Sequence, residues 1–106
     1  MKNPAIVLLM SQRENSSQWQ YTAIVDERMV SGTARSQANA KAEGLAAIQR
    51  LCAHLSGQSA EVACVVTSAD RHNRARAQGA RWVHAKLSTL RATGTSVQRC
   101  DVFGSR

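Results

Sequence analysis

The sequence predicts an α/β fold, and three observations support that prediction. Three short strand patterns lie before residue 35, a long helical pattern occupies 37–56, and residues 61–67 are apolar on both faces. A strand that is apolar on both faces is typical of the centre of a sheet that is covered on both sides. The predicted order of elements is β-β-β-α-β-α-α-β, and the 106 residues are expected to form a single domain over 1–106.

The first three strands are predicted at 4–11, 18–26 and 28–34. The first is an apolar run that is too short for a stable helix, so we interpret it as a buried strand. The second has alternating side chains, which predicts a half-buried strand with one inward face: Trp19, Tyr21, Ala23 and Val25. Asp26 and Glu27 form the tight turn from which the third strand pairs back.

The longest helix is predicted over 37–56, with Ser36 as its N-cap and Gly57 as its end. Its apolar stripe has helical spacing and comprises Ala40, Gly44, Ala47, Ile48, Leu51 and Leu55. A glycine inside a helix costs about 1 kcal/mol relative to alanine. We therefore expect the helix backbone at Gly44 to approach closely whatever lies beneath it.

The second half of the chain is predicted to hold a central strand, two helices and a last strand, at 61–67, 69–78, 80–92 and 95–103. Ser68 is the predicted N-cap of the helix at 69–78, and Gly79 ends or bends it. Alanine is the only apolar residue type in that helix, so we expect it to lie outside the core. Helical spacing predicts a basic row along one side, formed by Arg71, Arg74 and Arg81.

Positive charge is concentrated in the second half of the chain. Residues 1–67 hold six basic and five acidic side chains, a net of +1, whereas residues 68–106 hold eight basic and two acidic ones, a net of +6. Clustered arginine and lysine favour a polyanionic partner, because phosphate neutralisation releases counterions. The alternative is a solvated face that aids solubility.

Neither a metal site nor a membrane segment is predicted. The cysteines form no CxxC pair and are expected to be buried thiols in a reducing cytoplasm: Cys52, Cys64 and Cys100. The histidines do not have metal-ligand spacing: His54, His72 and His84. The apolar run at 5–10 is too short to span a bilayer, so we expect no membrane partner.

Two segments carry a family resemblance: QANAKAEGLAAIQRL at 37–51 and VVTSADRHN at 65–73. Together with the order of elements, they resemble the ribonuclease H-like superfamily over nearly the whole chain. The resemblance implies a five-stranded mixed sheet with helices packed on it. It places Glu43 at the catalytic helix glutamate of the family, and Asn39 at a residue that contacts the RNA sugar edge.

The catalytic pattern of that family is incomplete in this chain. Two-metal hydrolysis needs several carboxylates, but the family's strand aspartates fall near Met10 and at Ser68, and the helix that carries the last one would follow residue 106. Glu43 alone remains, and the helix dipole favours an acid there in any case. Glu14 and Asp70 are the only acids placed to substitute. We therefore favour a module without hydrolytic activity and without a cofactor. An active metal-dependent ribonuclease H is the less favoured alternative, and Mg²⁺ would be required only for such a nuclease activity.

The first functional hypothesis is a catalytically inactive ribonuclease H-like module that binds a duplex or an RNA/DNA hybrid by its backbone. Its candidate binding residues are Arg35, Asn39, Lys41, Arg71, Arg74, Arg76, Arg81 and Lys86. The alternative is a protein-interaction module, either a homodimer paired through an edge at 28–34 or the last strand, or an inhibitor of a nucleic-acid enzyme. A groove shared by the helix at 69–78 and Glu43 would favour the first hypothesis, and dispersed basic residues the second.

Overall fold

The fold was analysed in a computed structural model, which describes residues 6–13, 16–52, 60–86 and 98–100. The strands are β1 (Ile6–Gln12), β2 (Trp19–Val25), β3 (Arg28–Ala34), β4 (Ala60–Val66) and β5 (Gln98–Cys100). The helices are α1 (Gln37–Leu51), α2 (Ala69–Gln78) and α3 (Ala80–Ala85). They follow one another in the predicted order, and the predicted α/β class is confirmed.

The strands form one mixed sheet in the order β3-β2-β1-β4-β5. β1 is antiparallel to β2 and parallel to β4, and the hairpin between β2 and β3 turns at Asp26 and Glu27, as predicted. β5 adds a three-residue antiparallel pairing to β4. β1 is therefore paired on both edges, while β3 lies at one edge of the sheet.

Helices cover both faces of the sheet, and each face has its own apolar cluster. On one face, α1 packs against alternate residues of β1, β2 and β4, with Leu8, Tyr21 and Val62 among them. On the other face, α2 and α3 pack on the intervening residues, with Leu9, Ile24 and Val65 among them. The predicted coverage of β4 on both sides is thus confirmed.

Helix α1 begins as predicted, because Ser36 Oγ accepts a hydrogen bond from the Asn39 amide. A Cβ atom added to Gly44 would overlap the Leu8 side chain. The close approach predicted at Gly44 is confirmed, and the neighbour is the Leu8 side chain of β1. The helix ends at Leu51, short of the predicted 56, and the predicted terminator Gly57 lies outside the described residues.

Two predictions about the face of the sheet that α2 covers are wrong, and they share one physical reason. β2 was predicted to have one buried face. The face with Tyr21, Ala23 and Val25 is buried, and so is the face with Gln20, Thr22 and Ile24. α2 was predicted to lie outside the core, yet it covers these residues with His72 and Ala75, both 0% exposed. Polar side chains can line an interior when they hydrogen-bond one another, and a count of apolar residues does not detect that arrangement.

The last predicted elements are partly described. α3 ends at Ala85, short of the predicted 92, and its Val83 faces inward as predicted. Gly79 ends α2 with φ 98° and ψ 170°, a conformation that is almost exclusive to glycine. The remaining inward positions predicted for α3, Leu87 and Leu90, lie outside the described residues, as does most of the predicted strand at 95–103.

Candidate functional site

A buried polar network joins α2 to the sheet, and His72 lies at its centre. Its Nδ1 is 2.9 Å from Ser11 Oγ on β1, and its Nε2 is 2.8 Å from Thr22 Oγ1 on β2. Gln20 Nε2 donates to Ser11 Oγ at 2.8 Å, and Thr22 Oγ1 lies 3.0 Å from Ser31 Oγ. His72, Ser11 and Thr22 are 0% exposed, so no solute reaches this histidine directly.

When His72 is neutral, every group in the network has a hydrogen-bond partner if each one donates to the next along the path from Gln20 to Ser31. Ser11 Oγ accepts from Gln20, so its own hydrogen is available for Nδ1 of His72. Nε2–H then donates to Thr22 Oγ1, and Thr22 donates onward to Ser31 Oγ. Burial, with a smaller contribution from the Arg76 charge, lowers the pKa of His72 from 6.5 to about 4. The imidazole is therefore neutral at pH 7.

A cleft of about 490 Å³ opens beside this network. One wall is the end of the meander, where Ser11, Gln20 and Thr33 are paired across β1, β2 and β3. The other wall is the first two turns of α2. Six polar side chains line the cleft: Arg13, Gln20, Thr33, Asp70, Asn73 and Arg76. Its volume is within the usual range for small-molecule sites.

The cleft and the buried network share Gln20, which is 9% exposed. Gln20 Nε2 donates to Ser11 Oγ inside the network and lies 3.4 Å from Asn73 Oδ1 at the cleft. The network thereby holds the Gln20 amide in one orientation. The charged lining of the cleft consists of two guanidinium groups and one carboxylate, a net of +1.

The eight predicted nucleic-acid-binding residues are divided between the two helical layers. Arg35, Asn39 and Lys41 lie at the start of α1, on one side of the sheet. The other five lie on or next to α2 and α3, which cover the opposite side: Arg71, Arg74, Arg76, Arg81 and Lys86. All eight are exposed except Lys41, which is half-buried.

The basic residues of α2 and α3 do not form one row. Arg71 and Arg74 are three residues apart on one flank of α2, whereas Arg76 lies on the flank that lines the cleft. Gly79 separates Arg81 from that helix, so the predicted continuation of the row to Arg81 is wrong. Arg81 Nε instead lies 3.9 Å from Glu27 Oε2, an exposed pair of little energetic weight.

The positions assigned by the family resemblance do not form a carboxylate site. Met10 is 2% exposed within the α1 cluster, and Ser68 caps α2 by accepting a hydrogen bond from the Arg71 amide. Glu43 is exposed on α1, across the sheet from α2, so these two do not line one groove. Among the described residues, no three His, Cys, Asp or Glu side chains are placed to hold a metal ion.

Sequence reasoning missed eight residues of the cleft and its buried network: Ser11, Arg13, Gln20, Thr22, Ser31, Thr33, His72 and Asn73. The signal that could have found them is the polar content of the face of β2 that also holds Ile24. Gln20 and Thr22 on that face require buried partners if a helix covers it. A histidine in a helix with alanine as its only apolar residue type could supply one of them.

Cys52 and Cys64 are buried as predicted, and burial, followed by the Asp26 charge, raises the pKa of the Cys52 thiol. In the part of the chain that the structure describes, no helix has both the length and the apolar content to cross a membrane. No protein-family model matches the chain, and neither does any curated protein or solved structure.

Proposed function

We propose that this chain is a ribonuclease H-like module without hydrolytic activity that binds the phosphate backbone of nucleic acid through α2 and α3. One observation carries the proposal. Arg71, Arg74 and Arg76 are exposed on one ten-residue helix, and none of them forms an ion pair with a described residue. Unpaired guanidinium groups are available to phosphates, which they bind with two parallel hydrogen bonds.

The dimensions of α2 suit a backbone contact. Ten helical residues span about 15 Å, a length over which a duplex presents several phosphates. Asp70 is the one acidic side chain of the helix, so its surface is strongly positive. Arg81 and Lys86 extend the positive charge along α3, because the exposed Glu27 pair costs little to break.

Binding of this kind is expected to depend steeply on salt. If the five basic residues of α2 and α3 neutralise about five phosphates, log K should fall against log salt with a slope of roughly −4 to −5 on a duplex. Fluorescence anisotropy with a labelled 20-base-pair DNA duplex and an RNA/DNA hybrid, between 50 and 200 mM salt, measures this slope. A flat response would contradict the proposal.

A double variant locates the contact. Arg71→Gln with Arg74→Gln is expected to make the slope shallower by about 2 and to weaken binding at 100 mM salt by roughly 50-fold. The matched control is Arg28→Gln with Arg50→Gln, which removes the same charge from two exposed positions outside α2 and α3. Equal losses in both variants would show that net charge alone drives binding, and would reject α2 as the contact.

The second candidate function is self-association through β3. β3 is an edge strand, and Val30 on it is 37% exposed, the one exposed large hydrophobic side chain among the described residues. No proline or lysine protects the segment MVSGTA. The separation of Glu43 from α2 and the division of the basic residues also favour this candidate over a shared groove.

Light scattering distinguishes the two candidates. If β3 pairs with a second copy, the chain is expected to be a dimer at both low and high salt without nucleic acid, and Val30→Lys is expected to make it a monomer because a lysine at the edge opposes pairing. Gln49→Lys, which adds the same charge at an exposed position of α1, is the matched control and is expected to leave the dimer intact. A salt-independent monomer would reject the pairing.

A further inference from the structure

The cleft beside His72 is lined by groups that suit a ligand with hydrogen-bond donors as well as a phosphate. Arg13 and Arg76 lie on opposite walls, one following β1 and the other on the second turn of α2. Neither forms an ion pair with a described residue, and Arg13 makes a long 3.4 Å contact with Gln18 Oε1. Two guanidinium groups facing one cleft of about 490 Å³ suit a single anionic group.

Two hydrogen-bond acceptors in the same cleft are available to donors from a ligand. Gln20 is 91% buried, and its Nε2 is engaged with Ser11 and Asn73, which leaves Oε1 without a hydrogen-bond partner among the described residues. Asp70 is exposed and unpaired within the described structure. A phosphodiester has no hydrogen-bond donor, and the Asp70 carboxylate repels it. A plain backbone phosphate therefore offers no donor to either acceptor.

We propose that this cleft binds a phosphorylated ribose. Arg13 and Arg76 bind the phosphate, while the Asp70 carboxylate and Gln20 Oε1 accept hydrogen bonds from the ribose hydroxyls. A carboxylate is the group that proteins use for a ribose hydroxyl in dinucleotide sites, and the cleft volume suits one nucleotide. The ribose phosphate is either a free ribonucleoside monophosphate or the terminal nucleotide of an RNA strand.

Calorimetric titration of the full chain with three probes tests the hydroxyl contacts: adenosine 5′-monophosphate and its 2′-deoxy and 2′,3′-dideoxy forms. The ribonucleotide is expected to bind roughly tenfold or more tightly than the dideoxy form, since hydrogen bonds to charged groups are worth about that factor. Equal affinities, or no binding of any probe together with no binding of an RNA end, would overturn the proposal.

The Asp70→Asn variant distinguishes a cleft that binds ribose hydroxyls from a cleft that binds any anion. If Asp70 binds hydroxyls, this variant loses most of the preference for the ribonucleotide, while inorganic phosphate binds equally or more tightly. If the cleft is a plain anion site, the variant binds the ribonucleotide and phosphate more tightly in equal measure, which would overturn the proposal. Asn at position 70 preserves an acceptor in the first turn of α2, and circular dichroism verifies the fold.

Variants of α2 separate this inference from the proposed backbone binding. Arg76→Gln is expected to weaken all three probes at least tenfold, whereas Arg74→Gln, on the other flank of the same helix, leaves them unchanged. Duplex binding is expected to weaken in Arg74→Gln as well as in Arg76→Gln, because both arginines belong to the backbone contact proposed for α2. Arg74→Gln is therefore the variant that distinguishes the two sites. If the wild-type chain binds the duplex but neither the nucleotide probes nor an RNA end, this inference alone is overturned. If it binds the nucleotide probes but not the duplex, the proposed backbone binding alone is overturned.

Two short RNA strands distinguish the sources of the ribose phosphate. One ends in a normal ribose and the other in a 2′,3′-dideoxyribose, and each competes with labelled adenosine 5′-monophosphate for the chain. Competition by the normal strand alone assigns the cleft to an RNA terminus, and competition by neither assigns it to the free nucleotide. Equal competition by both strands would show that terminal hydroxyls do not matter, and would overturn the proposal for RNA ends and for the sugar contacts alike.

Discussion

Lowering the pH from 7 to about 4 is expected to remove about 3 kcal/mol from the free energy of unfolding through His72 alone. The folded chain holds this imidazole neutral, with a pKa of about 4, whereas the unfolded chain takes up a proton near 6.5. Between these values the unfolded state binds more protons than the folded state. The stabilisation is therefore complete above about 6.5 and is lost as the pH falls towards 4.

The charged form is disfavoured because its surroundings cannot accept it. His72 is 0% exposed, and the neighbours of its two ring nitrogens are neutral hydroxyl groups on Ser11 and Thr22. The nearby Arg76 charge repels a second cation. Protonation of both nitrogens would also force Ser11 to accept two donors and to find a new acceptor for its own hydrogen.

Urea unfolding at pH 7, 6, 5 and 4 measures the effect, with His72→Gln as the variant that cannot titrate. The difference between the wild type and this variant should shrink by about 3 kcal/mol over that range, while a control such as His84→Gln, which retains His72, should still show the loss that His72 causes. An unchanged difference would contradict the assignment. Should His72→Gln fail to fold, the NMR shift of the His72 ring proton still decides the matter, because it should not titrate above about pH 5.

Met10→Asp is expected to lower the free energy of unfolding by about 4 kcal/mol and to yield no hydrolytic activity. This change restores the acid that the ribonuclease H resemblance assigns to β1. Met10 is 2% exposed among apolar residues of α1, β2 and β4, so the new carboxylate would be buried without a cation. A loss of this size is a large part of the stability of a small domain.

Met10→Leu is the matched control, because a swap of similar volume costs less than about 1.5 kcal/mol. Urea unfolding of the two variants gives the stability difference, and incubation of a labelled RNA/DNA hybrid with Mg²⁺ or Mn²⁺ tests cleavage. We expect the hybrid to stay intact with the wild type, with Met10→Asp and with Glu43→Ala. A well-folded Met10→Asp variant that cleaves the hybrid would show that position 10 faces a metal site.

Local signals in the sequence predict most of the elements. Ser36 and Ser68 are correct N-caps, because a hydroxyl that accepts from the third helical amide requires only the adjacent chain. The turn at Asp26 and Glu27 and the break at Gly79 are likewise local. The described helices end at Leu51 and Ala85, and most of the stretches predicted to continue them, 53–56 and 87–92, lie outside the described residues.

Those local signals did not predict most of the candidate site. Arg76 was predicted to bind an anion, but Arg13 on the other wall of the cleft follows β1, and only the parallel pairing of β1 with β4, the strand before α2, brings it to α2. Glu43 was singled out from a motif, yet the sheet lies between it and α2. Separation in space depends on which face each helix covers, and periodicity within one helix does not specify that face.

The sequence by itself determined the order of strands and helices, the caps of α1 and α2, the two-sided burial of β4 and the concentration of positive charge after residue 67. Only the tertiary structure decided that His72 is the buried, neutral centre of a hydrogen-bond network and that Gln20 and Arg76 line the same cleft. The physical reason is that caps and periodicity arise from neighbours along the chain. The burial of a polar side chain depends on partners from distant segments that satisfy its hydrogen bonds.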